Sequence, residues 1–235
     1  MSLNHTIGKL LKRQYVDYLG FADLRSYQDD LAEFGGPIVR GYDSGISIGL
    51  AIPDAIVDLL QQRDDPNVSC EYRIHGYEVL NQRLNMTASV VSSYLNGRGH
   101  RTLPIAVADR TDEENAIPTV SHKMVAHIAG LGWIGKNCLL VTDDHGPRVR
   151  FVTVLTNAPL KTIDNPRVQQ CNDCVECINA CPVRAIKGRN YAEGESREER
   201  FEFKKCQDYF EALKKSRKYA VCGMCLYACP HGKKP

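Results

Sequence analysis

Eight of the ten cysteines in this 235-residue chain fall between Cys171 and Cys229. They read Cys171-x2-Cys174-x2-Cys177-x3-Cys181-Pro182, then Cys206 alone, then Cys222-x2-Cys225-x3-Cys229-Pro230. Thiolates two residues apart can converge on one iron–sulfur cube from a single turn of backbone. In the C-x2-C-x2-C-x3-C-P spacing the fourth cysteine serves the other of two clusters. The expected assignment is one [4Fe–4S] cluster on Cys171, Cys174, Cys177 and Cys229 and a second on Cys181, Cys206, Cys222 and Cys225. Pro182 and Pro230 stop the backbone from continuing as helix through the ligand loops. Structural zinc asks for two separated C-x2-C pairs. Disulfides ask for an oxidising compartment, and the sequence shows no export signal, so a reducing cytoplasm is expected.

A second stretch has chemical potential. Ala129-Gly130-Leu131-Gly132-Trp133-Ile134-Gly135-Lys136-Asn137 sets three glycines in six residues around the only tryptophan. Glycines let backbone approach a bound group closely, and Lys136 with exposed amides suits an anionic one. The lysine is followed by Asn137, so this is not a phosphate-binding P-loop. It follows a helix instead of opening one, so it is not the dinucleotide fingerprint. On spacing alone a plain glycine-rich turn fits as well as a cofactor site. His75, Tyr77, His122, Lys123 and His127 are the polar candidates elsewhere, none singled out as catalytic. Cys70 and Cys138 stand outside the cluster spacing and read as buried small hydrophobes.

The elements that must position these residues follow from pattern. Apolar residues make up 43% and charged residues 25%, as in a soluble globular protein, and no apolar run is long enough to span a bilayer. Net charge is +2, which gives no support for strong sequence-independent binding to nucleic acid. Helical spacing predicts a helix from Asn4 to Leu19, capped by Asn4 or Thr6, followed by a short strand at Phe21–Leu24 and a loop at Phe34–Pro37. Gly45–Ile52 reads as a buried strand, Asp54–Gln62 as a helix opened by Pro53, and Tyr77–Asn96 as a helix with Leu80, Leu84, Ala88, Val91 and Leu95 in one stripe. Leu103–Ala108 reads as a strand and Thr111–Ala116 as an acidic surface loop. Ser121 is expected to cap a helix to Ala129, burying Met124, Val125 and Ile128. Cys138–Thr142 and Arg148–Thr156 read as a hairpin around Asp143–Gly146. Ser196-x-x-Glu199 is a capping box for a helix through Cys206 to Lys215. The basic residues of that helix, interrupted by acids, read as a solvated face that could also dock an acidic electron donor. The fold class expected is α/β (α+β): a cofactor-binding domain over 1–160, a linker at Asn157–Gln170, and a ferredoxin-like cluster domain over 161–235.

Taken together, Ala129–Asn137 and the Cys171 and Cys222 groups resemble the epoxyqueuosine reductase family and, more distantly, the reductive dehalogenases. Gly45–Ile52 and Val79–Leu84 carry a weaker likeness to the same proteins. The resemblance implies a nitroreductase-like three-layer domain holding cobalamin, beside two [4Fe–4S] clusters fed by reduced ferredoxin or flavodoxin. It implies that Gly130, Gly132, Trp133, Gly135, Lys136 and Asn137 border the corrinoid. The substrate would be a small molecule, a nucleoside or another protein's corrinoid. In the family an acidic proton donor precedes a short proline-containing segment; the matching stretch here is Asn115-Ala116-Ile117-Pro118, with Asp112, Glu113 and Glu114 upstream. The longer family members continue into helical repeats that help hold tRNA, whereas this sequence stops at Pro235, so tRNA is not the expected substrate. FMN in the same pocket, or a non-enzymatic electron-transfer role, are the alternatives.

Overall fold

The computed structural model describes residues 2–107 and 117–233. The expected acidic loop, with Asp112, Glu113, Glu114, Asn115 and Ala116, lies outside the described residues. Helix α1 (Leu3–Lys12) is capped by Ser2, whose hydroxyl accepts from the His5 amide at 3.3 Å, and it buries Ile7 and Leu11. It stops well short of Leu19: Tyr15 takes a left-handed φ of 52°, and Tyr18 opens strand β1 (Tyr18–Asp23). Tyr15, Tyr18 and Leu19 fit a helical repeat, but the strand's sheet pairing overrides that local pattern. Helix α2 (Gln28–Gly35) was not foreseen, because its polar first turn leaves Leu31 as its one buried residue. It converts the expected Phe34–Pro37 loop into a helix end and a 3₁₀ turn at Gly36–Val39.

Strand β2 (Ser44–Ala51) is followed by α3 (Asp54–Asp58), which passes into a 3₁₀ turn at Leu59–Gln62. Asp65, accepting from the Asn67 amide at 2.8 Å, and Pro66 start a second unforeseen helix, α4 (Pro66–Arg73). A π turn at Ile74–Glu78 leads into α5 (Val79–Asn96), whose predicted apolar stripe is buried. Strand β3 (Thr102–Ile105), helix α6 (His122–Ile128) and the short strands β4 (Trp133–Ile134) and β5 (Leu140–Val141) come next. Ser121 occupies the N-cap of α6 without a side-chain bond, and Met124 is only half-buried. Strand β6 (Val149–Thr156), a long irregular stretch, α7 (Glu176–Asn179), α8 (Phe203–Ser216) and α9 (Met224–Tyr227) complete the chain. Among the described residues no helix is long and apolar enough to cross a membrane.

The expected hairpin does not form. β5 pairs with β4 (Trp133↔Val141, Ile134↔Leu140), while β6 lies between β2 and β3 in a four-stranded sheet of order β1-β2-β6-β3. Asp143–Gly146 does form a turn, but long-range pairing decides which strand lies beside β6. Contacts divide the chain into two compact units built from separated stretches: 1–50, 81–132 and 150–167, and 51–80, 133–149 and 168–235. Residues 168–235 thus hold together, and the stretches 51–80 and 133–149, which precede them in the chain, group with them.

In the first unit, β1 and β2 run antiparallel from Tyr18↔Gly49 to Asp23↔Ser44, and β3 and β6 from Thr102↔Thr156 to Ile105↔Thr153. The two inner strands are buried almost throughout. Gly49 has to be glycine, since a Cβ there would lie 2.6 Å from the Phe151 ring. Leu24, Leu31, Val39, Ile105, Val125 and Ile128 belong to one core. In the second unit, α3, α4 and the 3₁₀ turn between them meet the cysteine region through side-chain ties. Arg217 pairs with Asp64 at 2.6 Å, Gln61 bonds to Tyr227, and Arg63 Nη1 donates to Met224 Sδ at 3.2 Å. Arg148, 1% exposed, pairs with Asp54 at 3.1 Å and Asp58 at 2.8 Å.

Candidate metal centres

Each thiol reaches its place by a separate local device. The Cys174 amide donates to the Cys171 carbonyl at 2.8 Å, which curls the first loop, and α7 then carries Cys177 inward. Cys181 follows α7, and its sulfur accepts from the Ala185 amide at 3.3 Å. A short antiparallel pairing, Ile186↔Phe201, flanks the approach to α8, which bears Cys206 as expected. The Ser196 capping box does not open that helix: Ser196 precedes only a 3₁₀ turn, and α8 starts after Glu202. Gly223, at a φ of 65°, lets the chain turn from Cys222 into α9, which bears Cys225. Cys229 then precedes the 3₁₀ turn Pro230–Gly232.

The thiols gather in two groups. Around Cys177 lie Cys171, Cys229 and Cys174, and around Cys206 lie Cys222 and Cys181, with Cys225 feeling Cys222, Cys206 and Cys181 as well as Cys177. Cys171, Cys174, Cys177 and Cys229 line one cavity together with Lys136, Asn137, Val141, Pro230 and His231. Cys229 thus lies with Cys171, Cys174 and Cys177, and Cys181 with Cys206 and Cys222. None of the ten cysteines is in a disulfide. Among the described residues no three Cys, His, Asp or Glu side chains converge tightly enough to hold a single metal ion.

Burial, and then the neighbouring thiols, push Cys177 up to about 12 and Cys206 to about 11. Burial likewise raises Cys229 to about 11, and Cys222 and Cys225 upward from the ordinary value of 9.0. Iron–sulfur ligation needs thiolates, so loading must expel these protons. The sign for the metal-free chain follows. A thiol held above its unfolded pKa contributes stability fully present below about pH 9, and that stability is lost as pH rises toward 11–12. Anaerobic melting of metal-free protein is expected to drop in temperature between pH 8 and 10.5, while loaded protein changes less. Parallel pH curves for the two forms would contradict this.

The glycine-rich segment turns out to brace the cysteine loops. Lys136 is 7% exposed, and its Nζ donates to the carbonyls of Asn172 at 2.6 Å and Cys174 at 3.1 Å. Asn137 Nδ2 donates to the Cys225 carbonyl at 3.1 Å, and its Oδ1 accepts from the Leu139 amide at 3.1 Å. Two consecutive side chains thus hold one ligand backbone from each group. Trp133 is fully buried against Val141, Cys229 and Cys171, edge-on to His231 at 4.9 Å between ring centres. A Cβ on Gly135 would sit 3.6 Å from Cys171 Sγ. Gly130 turns the chain after α6 at a φ of 72°, and the Gly132 carbonyl accepts from buried His127 Nδ1 at 2.9 Å.

The remaining candidates are divided between the two units. His75 is exposed beside Glu71 at 3.6 Å, and Tyr77 lies under the Arg73 guanidinium at 5.1 Å, both in the second unit. His122 and Lys123 belong to the first unit. His122 bonds through Nδ1 to Thr153 Oγ1 at 3.0 Å and through Nε2 to the Ala106 carbonyl at 3.1 Å, a bracing role between α6 and β6. Cys138 is buried as expected, with Arg200 Nη1 3.4 Å from its sulfur, whereas Cys70 is half-buried on α4. Three of the four lysines of α8 are paired: Lys204 with Asp208, Lys205 with Glu202, Lys214 with Glu211. His231, Arg63 and Arg148 were missed. Only His231, next to Cys229-Pro230, had a sequence signal.

Residues 170–232 match the family model for the 4Fe-4S double cluster binding domain, so this part of the chain carries an iron–sulfur-binding domain. In sequence the chain is similar to the epoxyqueuosine reductase of Listeria monocytogenes, at 31% identity over 124 residues, 48% of this chain and 30% of that protein. In fold it is similar to an epoxyqueuosine reductase solved with an epoxyqueuosine-modified tRNA stem loop (TM-score 0.61, 20% identity, 98% of this chain and 65% of that one). It is also similar to a reductive dehalogenase whose structure suggests a mechanism for B12-dependent dehalogenation (TM-score 0.70, 19% identity, 97% of this chain and 31% of that one). The chain therefore spans just under two thirds of that epoxyqueuosine reductase and about a third of the dehalogenase.

Proposed function

We propose that this chain is an iron–sulfur oxidoreductase similar in action to epoxyqueuosine reductase. Two [4Fe–4S] clusters would carry electrons from reduced ferredoxin or flavodoxin to a corrinoid held by a nitroreductase-like N-terminal domain. The observation that carries the reading is the cavity lined by Cys171, Cys174, Cys177 and Cys229, three thiols from one loop and the fourth from the far end of the domain. These residues fit a cluster: two buried and two half-buried thiols, an apolar wall and the Lys136 ammonium beside them, with no carboxylate among the described lining residues. When bound, the clusters supply one-electron transfer at a potential set by charge, hydrogen bonds to sulfur and exclusion of water. The chain's own part is to hold eight thiolates, to place Lys136 as a counter-charge to the first group, and to shield that group with Trp133 and Val141.

Fold likeness to a protein described as B12-dependent supports the corrinoid. Of the six residues expected to border it, Trp133, Lys136 and Asn137 spend their side chains on the cysteine loops and Gly135 packs beside Cys171, which leaves Gly130 and Gly132 as the proposed contacts. The reaction would be a reduction of a small molecule, a nucleoside or a protein-bound corrinoid. The test is anaerobic reconstitution followed by cobalamin titration. The cobalt absorption bands are expected to change on binding and again on reduction. An unchanged spectrum with FMN released on denaturation would move the reading to a flavin reductase, and neither cofactor would leave an electron-transfer protein. The tRNA stem loop bound by the solved relative motivates a second arm. Binding of a matching stem loop, measured against salt, separates an RNA substrate from a small one.

A further inference from the structure

Among the buried N–H groups of the second unit that lack a hydrogen-bond acceptor among the described residues, two adjoin the cysteine groups. One is Nε1 of Trp133, whose indole is fully buried against Cys171 and Cys229. The other is Nε of Arg63. Arg63 Nη1 donates to the sulfur of Met224, which stands between Cys222 and Cys225 in the chain, at 3.2 Å. Buried donors without partners are rare in folded proteins, and each asks for an explanation. Of the other buried guanidinium nitrogens left without a hydrogen bond, Arg148 Nη2 and Arg200 Nε face the carboxylates of Asp58 and Glu195, while Arg148 Nε belongs to a guanidinium that pairs with Asp54 and Asp58 through its other two nitrogens. Trp133 carries no charge to pair, and Arg63, though within electrostatic reach of Asp64, leaves its Nε without a hydrogen bond among the described residues. What they share is position: one donor adjoins each group of four cysteines, and both come from outside the cysteine spacing.

We infer that each of these donors bonds to sulfur of the cluster it adjoins, Trp133 Nε1–H in the first group and Arg63 Nε–H in the second, and that the two bonds set the two reduction potentials separately. The inference rests on the two-cluster reading. An N–H···S bond draws charge from the sulfur and favours the reduced cluster, so its loss lowers the midpoint potential. Trp133 acts through its dipole alone, whereas Arg63 also brings a full positive charge. Lys136 adds a fixed charge to the first group, but its Nζ is already bonded to two carbonyls.

The experiment is an EPR-monitored potentiometric titration of the full chain, anaerobically loaded to about eight irons. Trp133→Phe is expected to move one of the two midpoints to more negative potential, and Arg63→Gln the other. Each shift should correspond to about a tenfold loss in the reduction equilibrium, about 59 mV for one electron. Arg63→Lys keeps the charge without the Nε–H, so a partial shift there separates hydrogen bond from charge. In deuterated buffer the iron–sulfur Raman bands of the unmodified chain should shift, and each variant should lose part of that shift. Two full clusters whose midpoints and deuterium shifts are the same in all variants would overturn the inference while leaving the two-cluster reading intact. An unmodified chain that cannot be loaded beyond one cluster overturns both. Should Trp133→Phe fail to retain iron, the unmodified chain's deuterium shift and the Arg63 pair decide, and absence of both effects overturns it.

Discussion

Cys229→Ser is expected to cut the iron content of anaerobically purified protein from about eight atoms per chain to about four or fewer. The thiol is 7% exposed, lies far along the chain from its three partners, and lines their cavity. A serine oxygen is a harder and far less acidic ligand than a thiolate, so the first cluster would be lost or bound weakly. Folding would suffer as well. Much of 168–202 is irregular backbone, so ligation there substitutes for the packing a larger core would supply. Cys70→Ser is the matched control. That cysteine is half-buried on α4 and absent from both groups, so iron and labile sulfide should stay at the unmodified level. Full iron in Cys229→Ser, or equal loss in Cys70→Ser, would show that the crossed assignment is mistaken.

The two groups were legible in sequence because ligand spacing is a local property: three thiols two residues apart have few ways to be useful. Strand β2 and the stripe on α5 were legible for a similar reason, since burial repeats along the element itself. Between Lys12 and Tyr18 local pattern failed. There the residues suit a helix, and only pairing with β2, more than twenty positions away, selects the strand. The same holds for β6, which local turn chemistry assigns to a hairpin and the sheet assigns to β2 and β3.

Lys136 is the clearest case at the site. A lysine in a glycine-rich turn reads as a cradle for an anion. The acceptors it meets are peptide carbonyls in a loop 36 and 38 residues on, which no motif spacing encodes. Asn137 reaches a carbonyl 88 residues on. Arg63 had no signal at all: its relevance comes from the approach of the 3₁₀ turn after α3 to α9, a tertiary event between ordinary sequences. What remained illegible was therefore the support around the thiols, not the thiols.

Gly146→Ala is expected to remove the first cluster as effectively as loss of a ligand, from a position that touches no cysteine. The turn Asp143–Gly146 is closed by reciprocal backbone bonds between Thr142 and Gly146 at 2.8 and 3.0 Å, with Thr142 Oγ1 also donating to the Gly146 carbonyl at 3.0 Å. Gly146 has a φ of 53°. A Cβ there would lie 2.4 Å from the Gly232 nitrogen and 2.5 Å from the His231 carbonyl carbon. Both are backbone atoms of the segment just after Cys229, so no side-chain rotation relieves the overlap. Gly232 is itself confined, since a Cβ on it would sit 2.9 Å from Arg148 Nε. The added methyl must therefore open the turn or push back the 3₁₀ turn Pro230–Gly232, and Cys229 with it. Left-handed strain and overpacking together cost about 2–5 kcal/mol. Gly194→Ala isolates the strain: its φ is 74° and nothing lies within 4 Å of a Cβ there, so the cost should be about 1–2 kcal/mol with iron unchanged. Melting temperature and iron count on the two variants decide the matter. If Gly146→Ala keeps full iron and melts with Gly194→Ala, the contact does not hold the ligand loop. If it loses about four irons, then the turn read from sequence as the bend of a hairpin serves as the buttress that returns the last cysteine to the first three.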